Sequence, residues 1–210
     1  MNRTLIIGAS GQIGKILTQQ MLDDGHHVVA LVRDKQKLSD INSENLTIFE
    51  QDLNSDFSAA FDQCSNVVFV AGSGASTGAD KTLLIDLWAA CRAADYAKSN
   101  HVKHFIMISS IGADEPLKGS ETMQPYLVAK HMADEHLINS GLQYTIIRPG
   151  TLTNDKSKAN FSTERPKDKS QAVITREDVA LAVLYRVKNP VKENSIVELF
   201  NGNDSIAQTF

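Results

Sequence analysis

The sequence predicts a doubly wound α/β fold, a parallel sheet with helices on both faces. Three observations carry that expectation. In the first 150 residues short β-branched runs alternate six times with longer helical stretches, the pattern of strand–helix units laid side by side. The runs are mostly apolar on both faces, as strands covered from both sides must be, whereas half-solvated antiparallel strands would alternate. The first run breaks into a glycine-rich turn at the mouth of a helix.

Strands are expected at 4–7, 27–32, 46–50, 66–71, 104–109 and 144–148, each short and rich in Val, Ile or Phe. Between them the helical pattern covers 12–24, 57–63, 81–98 and 124–140, with a weaker stretch over 34–41. Gly25 and Gly141 follow two of these helices, where a left-handed cap is wanted. Beyond Thr151 the texture changes. Residues 154–170 are polar, carry Lys156, Lys158, Arg165, Lys167 and Lys169, and show little periodicity. They read either as a solvated loop or as a lid that is mobile until ligand binds. Thr175, Arg176, Glu177 and Asp178 have the form of a capping box opening a helix through Val187, and 195–200 alternates as a last strand. With no internal repeat, residues 1–210 read as a single domain whose last part, about 151–210, completes the substrate side.

A formal net charge of −4 with no basic surplus argues against a general nucleic-acid or membrane-surface binder. No apolar run approaches the ~20 residues needed to cross a bilayer. The opening MNRTLIIGASG reaches its glycines too soon for a signal peptide. Cys64 and Cys91 form no CxxC, which excludes a disulfide framework and speaks against a cysteine metal site. His131 with His136, and His101 with His104, lack the HExxH form and read as surface or half-buried residues, so no metal is expected. A cytoplasmic protein, monomer or homodimer, acting on a small molecule is the expectation. Trp88 with Leu83, Leu84 and Leu87 makes one helix apolar over much of its circumference, for core packing or else for a helix-mediated dimer.

Residues 8–14 read GASGQIG, straight after the first strand. Gly8 permits a sharp turn, Gly11 lets the backbone approach a pyrophosphate, and Gly14 lets helix and strand pack closely. The N–H groups at the helix start, around Gly11, Gln12 and Ile13, would then face the phosphates. Ser10 is placed either to donate to phosphate or to cap the helix. The second strand ends in Arg33, followed by Asp34. A cation there suits the 2′-phosphate of NADP, where a carboxylate would suit NAD. The plainer reading is an exposed Arg beside an Asp that caps a helix. Asp52, with Leu53, sits where an adenine amino group would find an acceptor, or is a turn Asp. Ala71, Gly72 and Ser73 follow the fourth strand at the carboxyl edge, where small residues leave room for a nucleotide.

Ser109 and Ser110 end the fifth strand at the same edge, and Tyr126 and Lys130 lie on the next helix, four apart and so on one face. A nearby ammonium stabilises phenolate and would lower the Tyr126 pKa towards neutrality, making it a proton donor and acceptor. A Tyr–Lys pair alone is a common coincidence on a helix surface. Its place after paired serines and downstream of GASGQIG is what gives it weight.

With GASGQIG, ALVRD, Asp52, VVFVAGSGAS, HFIMISSIGAD, YLVAK, IIRPG and TREDVA, nearly the whole chain resembles the short-chain dehydrogenase/reductase superfamily, most closely its atypical branch. The resemblance implies a Rossmann fold and an oxidoreductase using NADP, with NAD less favoured. It implies Tyr126 as acid/base, Lys130 on the nicotinamide ribose, Ser110 or Ser109 orienting substrate, and Pro149 and Gly150 lining the nicotinamide end. Asp86 stands where the family usually carries Asn, which leaves proton relay through that position open. The expected absence of a C-terminal sugar-nucleotide domain counts against a sugar epimerase. The acceptor expected is a small carbonyl, quinone or flavin-like molecule. The competing expectation is a non-catalytic dinucleotide sensor or regulator on the same fold.

Overall fold

β1 (Arg3–Ile7) takes the middle of the sheet because Thr4 to Ile7 are all buried, Leu5 and Ile7 against one layer of helices and Ile6 against the other. The computed structural model describes residues 3–74, 77–190 and 192–210. Ala75 and Ser76 of the VVFVAGSGAS run, like the first two residues of the chain, lie outside the described residues. After β1 come α1 (Gln12–Asp23), β2 (His27–Val32), β3 (Leu46–Glu50) and β4 (Cys64–Phe69). A long helix follows in three continuous parts: α2 (Ala79–Lys81), a π-helical segment (Thr82–Ala89) and α3 (Ala90–Ser99). β5 (His104–Ile108), α4 (Gln124–Ile138), β6 (Tyr144–Pro149), β7 (Thr151–Thr153), β8 (Phe161–Ser162), β9 (Val173–Thr175), α5 (Arg176–Lys188), β10 (Ser195–Asn201) and α6 (Ile206–Thr209) complete it.

The main sheet runs β3-β2-β1-β4-β5-β6-β10-β8, parallel throughout except for β8, which pairs antiparallel with β10. β7 and β9 pair only with each other. α1 and α5 cover one face over Ile6, Val28, Ala30, Val68, Ile106 and Ile147. α3 and α4 cover the other over Leu5, Val29, Val67, Phe105 and Ile146. This is the doubly wound sheet that the sequence predicts, in one domain. The order reverses between β1 and β4, and the chain leaves these neighbours in opposite directions, which opens a crevice at their carboxyl ends. Gly25 and Gly141, both at φ +80, end α1 and follow α4 as expected.

Several elements differ from the sequence reading. The expected helices over 34–41 and 57–63 are single 3₁₀ turns, Lys35–Leu38 and Ser58–Phe61. β3 is half exposed, because it lies at the edge with only β2 beside it. Leu83, Leu84 and Trp88 are exposed, not core: the long helix turns Thr82, Asp86, Ala89, Ala90, Ala93, Ala94 and Ala97 inward, small side chains that let it approach the sheet closely. Residues 154–170 are mostly irregular, as expected, but anchored at two points. Phe161 is fully buried beneath α5 in β8, and Arg165 bonds Asp114 and Glu198. Thr175 does cap α5, accepting the Asp178 N–H at 2.9 Å. The reciprocal half of a capping box is replaced, because the buried Asp178 carboxylate accepts from Thr175 Oγ1 (2.8 Å), the Ser157 hydroxyl and the Ala159 N–H (3.1 Å). It fastens the loop to the helix.

His104 is also deeper than expected, 2 % exposed, with Nε2 3.0 Å from Thr145 Oγ1. Burial, with Arg186 nearby, pushes its imidazole down to about 4 from 6.5. Above 6.5 the ring is neutral folded or unfolded; below it the unfolded chain gains a proton that the folded one refuses. Stability should therefore fall as pH drops from about 6.5 towards about 4, by roughly 3 kcal/mol from this group. Urea unfolding across that interval checks it. The pH slope should shrink by about one proton in His104→Gln; an unchanged slope would put the acid sensitivity elsewhere.

Candidate active site

At the turn after β1, Gly8 has φ +93 and a Cβ there would lie 2.7 Å from the Ala71 backbone. A Cβ on Gly14 would lie 2.2 Å from the Gly8 carbonyl. Only glycine lets α1 begin this close to β1 and β4. Gly11 is the N-cap of α1 and makes no side-chain cap bond, and Ser10 does not cap it either. The first N–H groups of α1, from Gln12 onward, are thus left for a ligand, with the helix dipole behind them.

Those residues open onto a cavity of about 610 Å³. One wall is Gly11, Gln12 and Ile13; a second is Ala71, Gly72 and Ser73 after β4; a third is Asp86, Ser109, Tyr126 and Lys130. Met123, Leu152 and Arg176 also line it. Most of the expected site thus converges in one place. Arg33, Asp52 and Leu53 lie outside it, at the ends of β2 and β3. Arg33 is exposed and makes no hydrogen bond or ion pair among the described residues. Asp34 caps the next turn through the Gln36 N–H at 3.0 Å. Asp52 is a turn residue: its Oδ1 accepts from the Asn54 N–H (2.8 Å) and Nδ2 (2.9 Å). Leu53 packs on the core.

Asp86 is 2 % exposed on the π-helical segment, and its Oδ2 accepts the Ser73 N–H at 3.0 Å. The carboxylate pins the second wall to the helix. π-helical turns are rare and often mark functional positions. Lys130 is fully enclosed, donating from Nζ to the Ile108 carbonyl at 2.7 Å. Burial pushes its ammonium below the usual range, while Asp86 and Asp134 pull it back up. Tyr126 departs from expectation. Its phenol is not drawn down by Lys130; burial pushes it up to about 12, the Asp86 charge adds to the rise, and a hydrogen bond with the Ser110 side chain works against it. The phenol is a proton donor at neutral pH.

The two serines separate in role. Ser109 is buried and donates to Asp134 Oδ2 at 2.8 Å, so its hydroxyl is committed to the core. Ser110 Oγ donates to the Ile111 carbonyl at 3.1 Å and the residue does not line the cavity, although its side chain bears on the Tyr126 phenol. Asp134 itself went unnoticed in the sequence: wholly buried, it also accepts from Arg148 Nε (3.1 Å) and Nη2 (3.0 Å), and burial still pushes its carboxyl above the usual range. Pro149 and Gly150 do not line the cavity, because both are buried, with the Pro149 carbonyl accepting from Ile111 and the Gly150 N–H donating to Leu199. Leu152 and Arg176, a little further along the chain, do line it. No composition signal marks either, and the helix-start motif around Arg176 points only to a cap.

Among the described residues no three His, Cys, Asp or Glu converge to hold a metal, and no helix is long and apolar enough to cross a membrane.

The chain matches a protein-family model described as NAD(P)H-binding over residues 8–190. It is 37% identical over 210 residues to a Bacillus subtilis protein named as the uncharacterized sugar epimerase YhfK, covering 98% of this chain and 97% of that one. A solved Bacillus halodurans structure, provisionally assigned as an NAD-dependent epimerase/dehydratase, superposes with a TM-score of 0.92 at 38% identity, covering 99% of this chain and 98% of the other. The Lactococcus lactis oxidoreductase ylbE superposes with a TM-score of 0.87 at 25% identity over 99% of this chain and 94% of its own. The glycine cradle, the uncapped helix start and these likenesses agree: the chain belongs to the NAD(P)H-binding family of Rossmann-fold proteins.

Proposed function

We propose that this protein is an NADP(H)-dependent reductase of a small carbonyl, quinone or flavin-like acceptor, acting in the cytoplasm. The observation that carries the reading is that Tyr126 and the buried Lys130 line the same cavity as the open N-terminus of α1. The α1 N–H groups and Ser10 would hold the pyrophosphate, Ala71 to Ser73 the flank of the dinucleotide, and Lys130 its nicotinamide ribose through the donors not used on Ile108. When bound, the dinucleotide supplies hydride. Ser110 holds the acceptor oxygen, and Tyr126 gives that oxygen a proton from its own hydroxyl. A phenol raised to about 12 suits this direction, since the acid form is present at neutral pH. The reverse reaction would require phenolate, which this site disfavours. Asp86 acts by holding the Ser73 backbone, and no proton path needs to run through it.

Turnover of NADPH across a panel of carbonyls, quinones and flavins is the direct test. Tight, selective dinucleotide binding without turnover of any of them would favour the sensor reading, to which the committed Lys130 and the Asp at position 86 lend some support.

The NADP preference rests on Arg33, exposed and unpaired at the end of β2, and it has its own test. Losing a charge-assisted phosphate contact costs about 1.5–3 kcal/mol, so Arg33→Ala should weaken NADP(H) binding roughly tenfold or more and leave NAD(H) binding nearly unchanged. Equal affinities for the two cofactors in the unmodified protein would reject the assignment.

A further inference from the structure

Three charged side chains line the cavity: Asp86, Lys130 and Arg176. The charge of Lys130 lies between those of Asp86 and Asp134 and its Nζ is bonded to Ile108. Arg176 has no such counter-charge. Its Nη1 donates to the Leu152 carbonyl at 3.3 Å and to Asn154 Oδ1 at 2.9 Å, both neutral acceptors. It forms no ion pair among the described residues, and the Nε and Nη2 groups, one whole edge of the fork, carry no bond. The acids beside it are committed elsewhere, Glu177 to the Ser157 N–H and Asp178 to Thr175, Ser157 and Ala159. Those two carboxylates also offset the positive end of α5, so the attraction for an anion comes from the guanidinium itself. The two bonds from Nη1 fix its direction without using its charge. Leu152, whose carbonyl it bonds, is one of several apolar residues lining the cavity with it.

We propose that Arg176 makes this cavity selective for acceptors bearing a carboxylate, gripped by the Nε–Nη2 edge while the reacting oxygen lies against Tyr126 and Ser110. The planar fork matches two carboxylate oxygens, which a neutral group of the same shape cannot satisfy. This names the substrate class of the reductase proposed above and rests on that reading. The phosphates of the dinucleotide present the same kind of oxygen pair, so the test has to separate the two sources.

Saturate the protein with NADP⁺, so that no turnover intervenes, and titrate two matched pairs by calorimetry: 4-carboxybenzaldehyde against 4-methylbenzaldehyde, and pyruvate against butanone. In at least one pair the carboxylated probe should bind about tenfold tighter or better. Arg176→Gln should erase that difference and Arg176→Lys should keep part of it. The affinity for NADP⁺ itself should stay within about twofold in Arg176→Gln, which also shows that the variant is folded. Equal binding within both pairs, or a preference that survives Arg176→Gln, overturns the proposal. So does a loss of NADP⁺ affinity as large as the loss for the probe, because Arg176 would then serve the dinucleotide. If the unmodified protein takes up no NADP⁺, the cofactor reading fails instead. The same pairs titrated into the free protein then decide the Arg176 assignment separately.

Discussion

Tyr126→Phe should lower kcat for a carbonyl acceptor by about 10²–10⁴-fold, the usual contribution of a positioned general acid, with little change in cofactor affinity. The substitution keeps the ring and its packing and removes only the proton. The pH profile adds a second constraint. An acid with a pKa near 12 loses its proton only as pH rises through that value, so the reduction rate should show no fall from Tyr126 between about pH 6 and 9. Oxidation of the corresponding alcohol, which requires phenolate, should climb steadily over the same interval. A quinone or flavin acceptor can draw its proton from water, so the test belongs to carbonyls. Reduction of a carbonyl by Tyr126→Phe at the unmodified rate would make the Tyr126–Lys130 pair a structural one.

The second large effect is on stability. Arg148→Leu removes both charge-assisted bonds to the wholly buried Asp134, whose Oδ1 already has no partner. Breaking such a pair from one side costs about 3–5 kcal/mol, a large share of the roughly 5–15 kcal/mol that holds a domain together. Urea unfolding should show the loss at neutral pH. It should shrink towards acid, because a buried carboxyl whose pKa is raised takes up its proton more readily folded than unfolded. The double variant Asp134→Leu/Arg148→Leu should recover part of the stability, since no carboxylate is left unpaired. The triple variant with Ser109→Ala, which also removes the stranded hydroxyl donor, should recover more. If both stay as unstable as the single variant, the cost lies in lost packing.

The strands were legible because parallel strands buried on both faces cannot hide their composition: Leu5 to Ile7, Val28 to Val32 and Phe105 to Ile108 are apolar at every step. The glycine turn was legible because its spacing is set by close backbone approach, a local constraint visible at Gly8 and Gly14. What escaped depends on contacts between distant segments. Asp134 looked like any helix-surface acid until β6 brought Arg148 against it. Phe161 is one apolar residue in a polar stretch, and a single residue has no periodicity to detect. Trp88 misled for a different reason. The apolar count around that helix was high, and the alanine stripe, small enough to lie closest to the sheet, took the inside. The depressed phenol expected from the Tyr–Lys spacing failed because spacing says which groups are near, whereas burial decides which charge state the site favours.

The pairing of β7 with β9 outside the main sheet has a consequence for how this fold can diversify. Leu152 lies on that ribbon and Arg176 directly follows it, while the other residues lining the cavity come from before β6. No rung of the ladder joining β1, β2, β4, β5 and β6 runs through the ribbon. Redecorating its cavity-facing side chains, while keeping the buried Ile174, therefore touches none of the pairings that set the register of those strands. On the proposed reading, the segments that would hold the dinucleotide and the side chain that would choose the acceptor are separable stretches of chain, so one could drift while the other is kept.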